Sequence, residues 1–203
     1  MTDESLLKRF VATFGAFDDL SANRAFVGRG NIEPLLLGQW DEWGFADWKP
    51  IAERTPREAL QEVYRVVHGR FPPLYEDLVL SYRWYRVDVG PVQLLSSLPP
   101  NLDGLVEAIT NDNKLFTTLS RGGFVQFGKG SDVDYDPVCF DSSNLRDGDC
   151  RIVKFDHEEI LMNDRLVEVA ELAPTFRQLV EQLVREGEDE LRRRPNETDS
   201  ESE

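Results

Sequence analysis

Cysteine is scarce in this chain. Only Cys139 and Cys150 occur in 203 residues, too few for the disulfide framework of a small secreted scaffold. Two free thiols are the expected state. Histidine is equally rare, with His68 and His157 alone, and neither belongs to an HExxH or other paired-ligand spacing. No run reaches the roughly 18 apolar residues needed to span a bilayer. The start, Met1 to Ser5, lacks the basic and apolar regions of a secretory signal. A cytoplasmic location with no membrane partner is therefore expected, and the Asn196-Glu197-Thr198 sequon carries little weight.

Positive charge is also in deficit. Lys and Arg total 23 against 38 Asp and Glu, leaving a formal charge of −15. Eight of the acids, against three arginines, fall between Glu186 and Glu203. That stretch is expected to begin as helix and to be disordered from Pro195. The remainder is still acidic, so it repels phosphate backbones and direct nucleic-acid binding is not expected. A basic protein partner is favoured instead, mainly through steering. The same charge also keeps a protein soluble without any partner.

What is present points to one globular domain. Residues 1–185 are expected to form it, with 1–55 as an N-terminal helix and tryptophan-rich extension and 186–203 as an acidic tail. Leu6, Leu7, Phe10, Val11, Phe14 and Phe17 fall on one stripe and predict a helix from Asp3 to Phe17. Trp40, Trp43, Phe45 and Trp48 follow in a loop-rich stretch. Such a cluster suits a ligand cage or, more commonly, a plug on one side of a core. Thr55-Pro56-Arg57-Glu58 reads as a capping box, with Leu60, Val63, Tyr64 and Val67 as the buried stripe and Gly69 as a left-handed end.

Phe71-Pro72-Pro73 predicts the start of a second helix carrying Leu74, Tyr75, Leu78 and Val79. Tyr85 to Leu95 reads as strand, with Pro91 at an edge or bulge, and Asn101 to Asn111 as helix. Phe124–Phe127, Pro137–Phe140 and Arg151–Phe155 are short β-rich runs, and Leu166–Val169 a last strand. Pro174 opens a final helix with Phe176, Leu179, Val180, Leu183 and Val184 inward. The predicted class is α+β, with a mixed, largely antiparallel sheet flanked by N-terminal and C-terminal helices.

Motifs that carry chemistry fail at nameable residues. Gly123 to Ser131 approaches a phosphate-binding loop, but Gly130 intervenes between Lys129 and Ser131, and the residues before Lys129 are strand-like. Asp132, Asp134 and Asp136 approach a calcium loop, but Pro137 stands where the sharp turn needs Gly, and Ser143 where it needs Glu. His68 sits at a helix end, where it suits the dipole. His157 with Cys139 or Cys150 has no local framing as a nucleophile–base pair or zinc site, and a turn is the expected role of Asp156-His157-Glu158-Glu159. No catalytic residue, cofactor or metal site is assigned. What survives is a distribution: nine acids against three bases from Asp132 to Glu159. Because alternate strand residues share a face, Asp132, Asp134, Asp136, Asp141, Asp147, Asp149 and Glu158 are the candidate partner-binding residues. A merely solvated sheet face is the alternative.

The ordered elements resemble the SUKH superfamily, which contains bacterial immunity proteins and yeast cell-wall regulators. Phe71-Pro72-Pro73-Leu74-Tyr75-Glu76-Asp77-Leu78 is similar to its Leu-Pro-x-x-Tyr-x-x-Phe-Leu helix start. Phe124-Val125-Gln126-Phe127-Gly128 and Asp136-Pro137-Val138-Cys139-Phe140-Asp141 are similar to two of its strands. Arg151 to Glu158 resembles its strand ending in Asp-His-Glu, and Ala173 to Leu179 its closing helix. The resemblance covers Arg57 to Leu183. Ser81-Tyr82-Arg83-Trp84 replaces the usual Asn-Gly-Gly, and the first 50 or so residues lie outside the pattern. The resemblance implies an α+β fold and neutralisation of a cognate toxin, often a nuclease, by tight binding; it brings no catalytic residues. A cytoplasmic regulatory or scaffolding role on the same fold is the alternative.

Overall fold

The computed structural model describes residues 2–14, 16, 24–26, 32–131 and 134–193. In chain order the elements are α1 (Asp3–Ala12), β1 (Arg24–Phe26), β2 (Phe45–Asp47), β3 (Ile51–Ala52), α2 (Ala59–Val67), α3 (Pro73–Ser81), β4 (Tyr82–Arg83), β5 (Val87–Val89) and β6 (Val92–Leu94). There follow α4 (Asp103–Thr110), α5 (Asn113–Arg121), β7 (Phe124–Gly130), β8 (Pro137–Asp141), β9 (Ile152–Phe155), α6 (His157–Asn163), β10 (Glu168–Ala173) and α7 (Phe176–Arg193). Strands β5 to β10 form one six-stranded meander in which every neighbour is next in sequence; β1–β2 and β3–β4 are separate ribbons. Every pairing between these strands is antiparallel. The fold is α+β, with helices flanking the sheet. Among the described residues no helix is long and apolar enough to cross a membrane.

Alternation along the strands sends side chains to two different apolar layers. Val125 and Phe127 of β7, Val138 and Phe140 of β8, and Ile152 of β9 enter the large core. Cys139, Val153 and Phe155 enter a smaller one, closed by Leu119 of α5 and Ile160 of α6. The large core runs from Leu6 to Val184 and includes Ile32, Leu35 and Trp48, so the N-terminal segment is packed into it. Its centre is aromatic. Phe127 stacks on Phe140 with centroids 4.2 Å apart, and Tyr75 meets Phe71, Phe140 and Phe176 edge-on at 5.0, 4.9 and 5.4 Å. Within this shell the Tyr75 hydroxyl has no hydrogen-bond partner among the described residues, and burial pushes its pKa up. In the buried seam between α7 and the end of α1, Gly187 permits close approach: a Cβ there would lie 2.7 Å from the Thr13 Cβ.

Several local expectations are corrected. The Thr55–Glu58 capping box does not form; α2 begins at Ala59 with no side-chain cap. Thr55 accepts instead from Arg83, a fully buried guanidinium that also donates to the Val79 and Tyr82 carbonyls and to Glu53. Satisfying that buried cation outweighs one helix cap. His68 itself, not Gly69, takes the left-handed position that ends α2. Tyr85 to Leu95 is a hairpin folded at Gly90-Pro91, and its first strand β5 is a sheet edge. Two helices went unread. Asp112 starts α5 by accepting from the Lys114 and Leu115 amides, and Asp156 starts α6 by accepting from Glu159, so Asp156–Glu159 is a helix start rather than a turn. Phe17, the tail from Pro195 and Asp132 lie outside the described residues.

The aromatic centre yields a paired prediction for urea unfolding. Phe127→Ala should lose about 3–5 kcal/mol of stability. Tyr75→Phe removes only an unpaired buried hydroxyl, and should be neutral or stabilising by up to about 1 kcal/mol.

Candidate functional site

The candidate acids do not share a sheet face. Strand β8 is central, and Pro137 through Asp141 are all buried, because the large core covers one side and α5 and α6 the other. No solvated face exists there for carboxylates to occupy. They flank the strand instead, and its length holds Asp136 and Asp141 about 17 Å apart. Asp134, Asp136 and Glu158 lie at one end, while Asp141, Asp147 and Asp149 lie at the other.

The second group lines a groove of about 920 Å³. One wall is the connection from β8 to β9, where Arg146 and Asp149 exchange both backbone hydrogen bonds at 2.7 and 2.9 Å. The two residues between them, Asp147 and Gly148, have φ of 51° and 81°. Asp-Gly suits this tight reversal because glycine takes positive φ freely and aspartate tolerates it. The tip is exposed. The opposite wall comes from Asp3 of α1, Glu171 of β10 and the first turns of α7, with Arg177 and Glu181. Six carboxylates and three arginines line the groove.

Most of these charges are engaged. Asp141 is only 1% exposed and accepts from Arg151 at 2.8 Å, Asn144 at 2.9 Å and Ser143 at 3.0 Å. Burial pushes its carboxyl pKa up, but these bonds outweigh burial and hold it below the usual carboxylate value. Arg151 also binds Glu168 at 2.9 Å. Arg177 reaches Asp3 at 2.6 Å and Glu181 at 3.9 Å. Asp149 accepts from the backbone amides of Cys150, Phe176 and Arg177 at 2.8–3.2 Å, and so caps α7 from a distant loop. Asp147 makes no ion pair among the described residues, and its carboxylate faces solvent at the rim.

The thiols are ill placed for chemistry. Cys139 belongs to the small apolar layer and Cys150 to the large one, and both are free and buried. Burial raises the Cys139 pKa. Burial, with Asp149 and Asp141 adding, pushes Cys150 up to about 12. Neither is an activated thiolate. Lys129, the lysine of the loop-like motif, lies on β7 with its ammonium 4.4 Å from the Tyr135 ring centre.

No protein-family model matches this chain, and a search of curated proteins finds no match. The site therefore stands on its geometry.

Sequence reasoning named three of the nine charged lining residues, Asp141, Asp147 and Asp149. It missed Asp3, Arg146, Arg151, Glu171, Arg177 and Glu181. The Asp147-Gly148 pair is a readable hairpin signal. Nothing local marks Asp3 or Glu181, since they reach the groove only through the packing of α1 on α7.

The Asp141 pKa yields a prediction whose sign is fixed. A carboxyl depressed in the native state adds stability above its unfolded pKa of about 3.9 and loses it as pH falls through the native value. Asp141→Asn should therefore destabilise the protein near neutrality. The gap from wild type in urea unfolding should narrow as pH falls below about 4.

Proposed function

We propose that this chain is a non-catalytic protein-binding module that takes a basic partner into the acidic groove. The partner we favour is a toxin domain of the nuclease type, neutralised by occlusion. The observation that carries the reading is the groove itself, an open concavity with twice as many carboxylates as arginines. Six carboxylates against three arginines leave the lining with a net negative charge. A nuclease must present a basic surface to its substrate, and an acidic groove can occupy that surface. The ordered resemblance to the SUKH superfamily over Arg57 to Leu183 supports the same reading. So does the buried, unactivated state of both thiols, which argues against thiol catalysis.

A second reading has an observation of its own. Trp43 is 73% exposed and Leu37 56%, held up by a turn in which Asp41 accepts from the Trp43 and Phe45 amides. An exposed indole beside apolar neighbours suits docking of a regulatory or scaffolding partner.

Co-expression with the product of the adjacent gene separates the two. Under the first reading that product is toxic alone and is bound and neutralised. Asp147→Lys with Glu181→Lys should then weaken binding at least about tenfold, and binding should fall as salt rises from about 0.05 to 0.5 M. A complex insensitive to both, yet lost in Trp43→Ser, would move the function to the N-terminal segment.

A further inference from the structure

At the other end of β8 a different chemistry assembles. Asp136 lies just before the strand, while Asp156 and His157 begin α6. One ligand atom from each lies within 4.8 Å of the other two. His157 Nδ1 and Asp136 Oδ1 are 2.8 Å apart. All three residues are half-buried.

We propose that Asp136, Asp156 and His157 form a binding site for one divalent transition-metal ion of the zinc class. The imidazole is what distinguishes the site from a cluster of surface carboxylates. One nitrogen and two carboxylate oxygens suit Zn²⁺ or Co²⁺, with solvent completing the shell, whereas Ca²⁺ takes oxygen ligands alone. Ligands about 2.1 Å from a tetrahedral ion stand roughly 3.4 Å apart, so the ion would take the place of the proton between His157 Nδ1 and Asp136 Oδ1, with these two atoms moving apart by roughly 0.6 Å.

Capacity remains for the ion. Asp156 uses Oδ1 to accept from the Glu159 amide, and Asp136 uses Oδ1 for the His157 amide and ring. Among the described residues the second oxygen of each carboxylate has no hydrogen bond. The scaffold is set by contacts of the ligands' backbone that leave their side chains unused. The Gly130 amide donates to the Asp136 carbonyl at 2.9 Å, and the Asp156 amide donates to the Val167 carbonyl at 2.9 Å. The Asp136 amide donates to Asp134 at 2.9 Å. Asp134 itself is held by Lys154 at 2.7 Å, which keeps that neighbouring carboxylate out of the site and offsets its charge. Such anchoring is what a preorganised metal site requires. An ion there would tie the start of α6 to the loop before β8, some 17 Å of strand away from the groove. The site is thus independent of the proposed partner surface.

Equilibrium dialysis of the tag-free, metal-stripped full chain against Zn²⁺, with Co²⁺ absorption reporting the ligand field, tests this. One equivalent should bind. His157→Ala should weaken it at least about tenfold, the order of loss seen when a coordinating shell is damaged. Asp156→Asn keeps the helix cap, because Asn caps as well as Asp, yet removes the carboxylate, and it should cause a similar loss in a folded protein. A Cys139→Ser, Cys150→Ser double variant should bind as wild type does. Absence of saturable binding would overturn the proposal, as would binding unchanged in His157→Ala or lost only with the cysteines. In the first case the Asp136–His157 contact is a structural hydrogen bond and nothing more.

Discussion

Phe127 and Phe140 face each other across β7 and β8 with their rings stacked at 4.2 Å, and the rest of the molecule is arranged around that pair. Tyr75 of α3 and Phe176 of α7 close on it edge-on from the helical side. Cys139, between Val138 and Phe140 on β8, faces the smaller layer under α5 and α6. Burial on both sides leaves β8 no exposed surface along its length. Polar chemistry is therefore expelled to its two ends, because an unpaired charge in either layer would cost several kcal/mol.

At the groove end, the residues that build the site also hold the fold. Asp149 closes the Arg146–Asp149 reversal through its backbone and caps α7 with its carboxylate, so the loop and the helix are positioned by one residue. Asp141 anchors Arg151, and Arg151 reaches across to β10. Arg177 on α7 holds Asp3 at the start of α1. These contacts tie the walls together, while Asp147 at the rim makes no ion pair among the described residues. Walls cross-linked in this way, with an exposed carboxylate at their edge, suit recognition of a basic surface, since little order need be imposed on binding.

Local strength in the sequence translated well where a single element decides its own state. The apolar stripes of α1, α3 and α7 announce a helical period, and the short runs at Phe124, Pro137 and Arg151 are set apart as strands by their length and β-rich composition. Local signals failed where a distant group competed. Thr55 reads as a helix cap, but Arg83 needs its hydroxyl more, being wholly buried with four acceptors to find. Asp112 and Asp156 were overlooked as caps because the helices they start bury few residues, Thr118 and Leu119 in α5 and Ile160 in α6, too few to mark a broad apolar stripe.

Composition and periodicity alone determined the acidic character, the α+β class and the identity of most core residues, because charge is additive and each element's period depends on its own residues. Only tertiary structure decided how the acids are distributed. Asp136 and Asp141 belong to one short run in sequence but to opposite ends of a strand covered on both faces. Asp3, Asp141 and Glu181 are spread along most of the chain but line one groove. The physical reason is that a carboxylate's neighbours in space are set by how helices and strands pack, and packing joins residues that no local pattern relates.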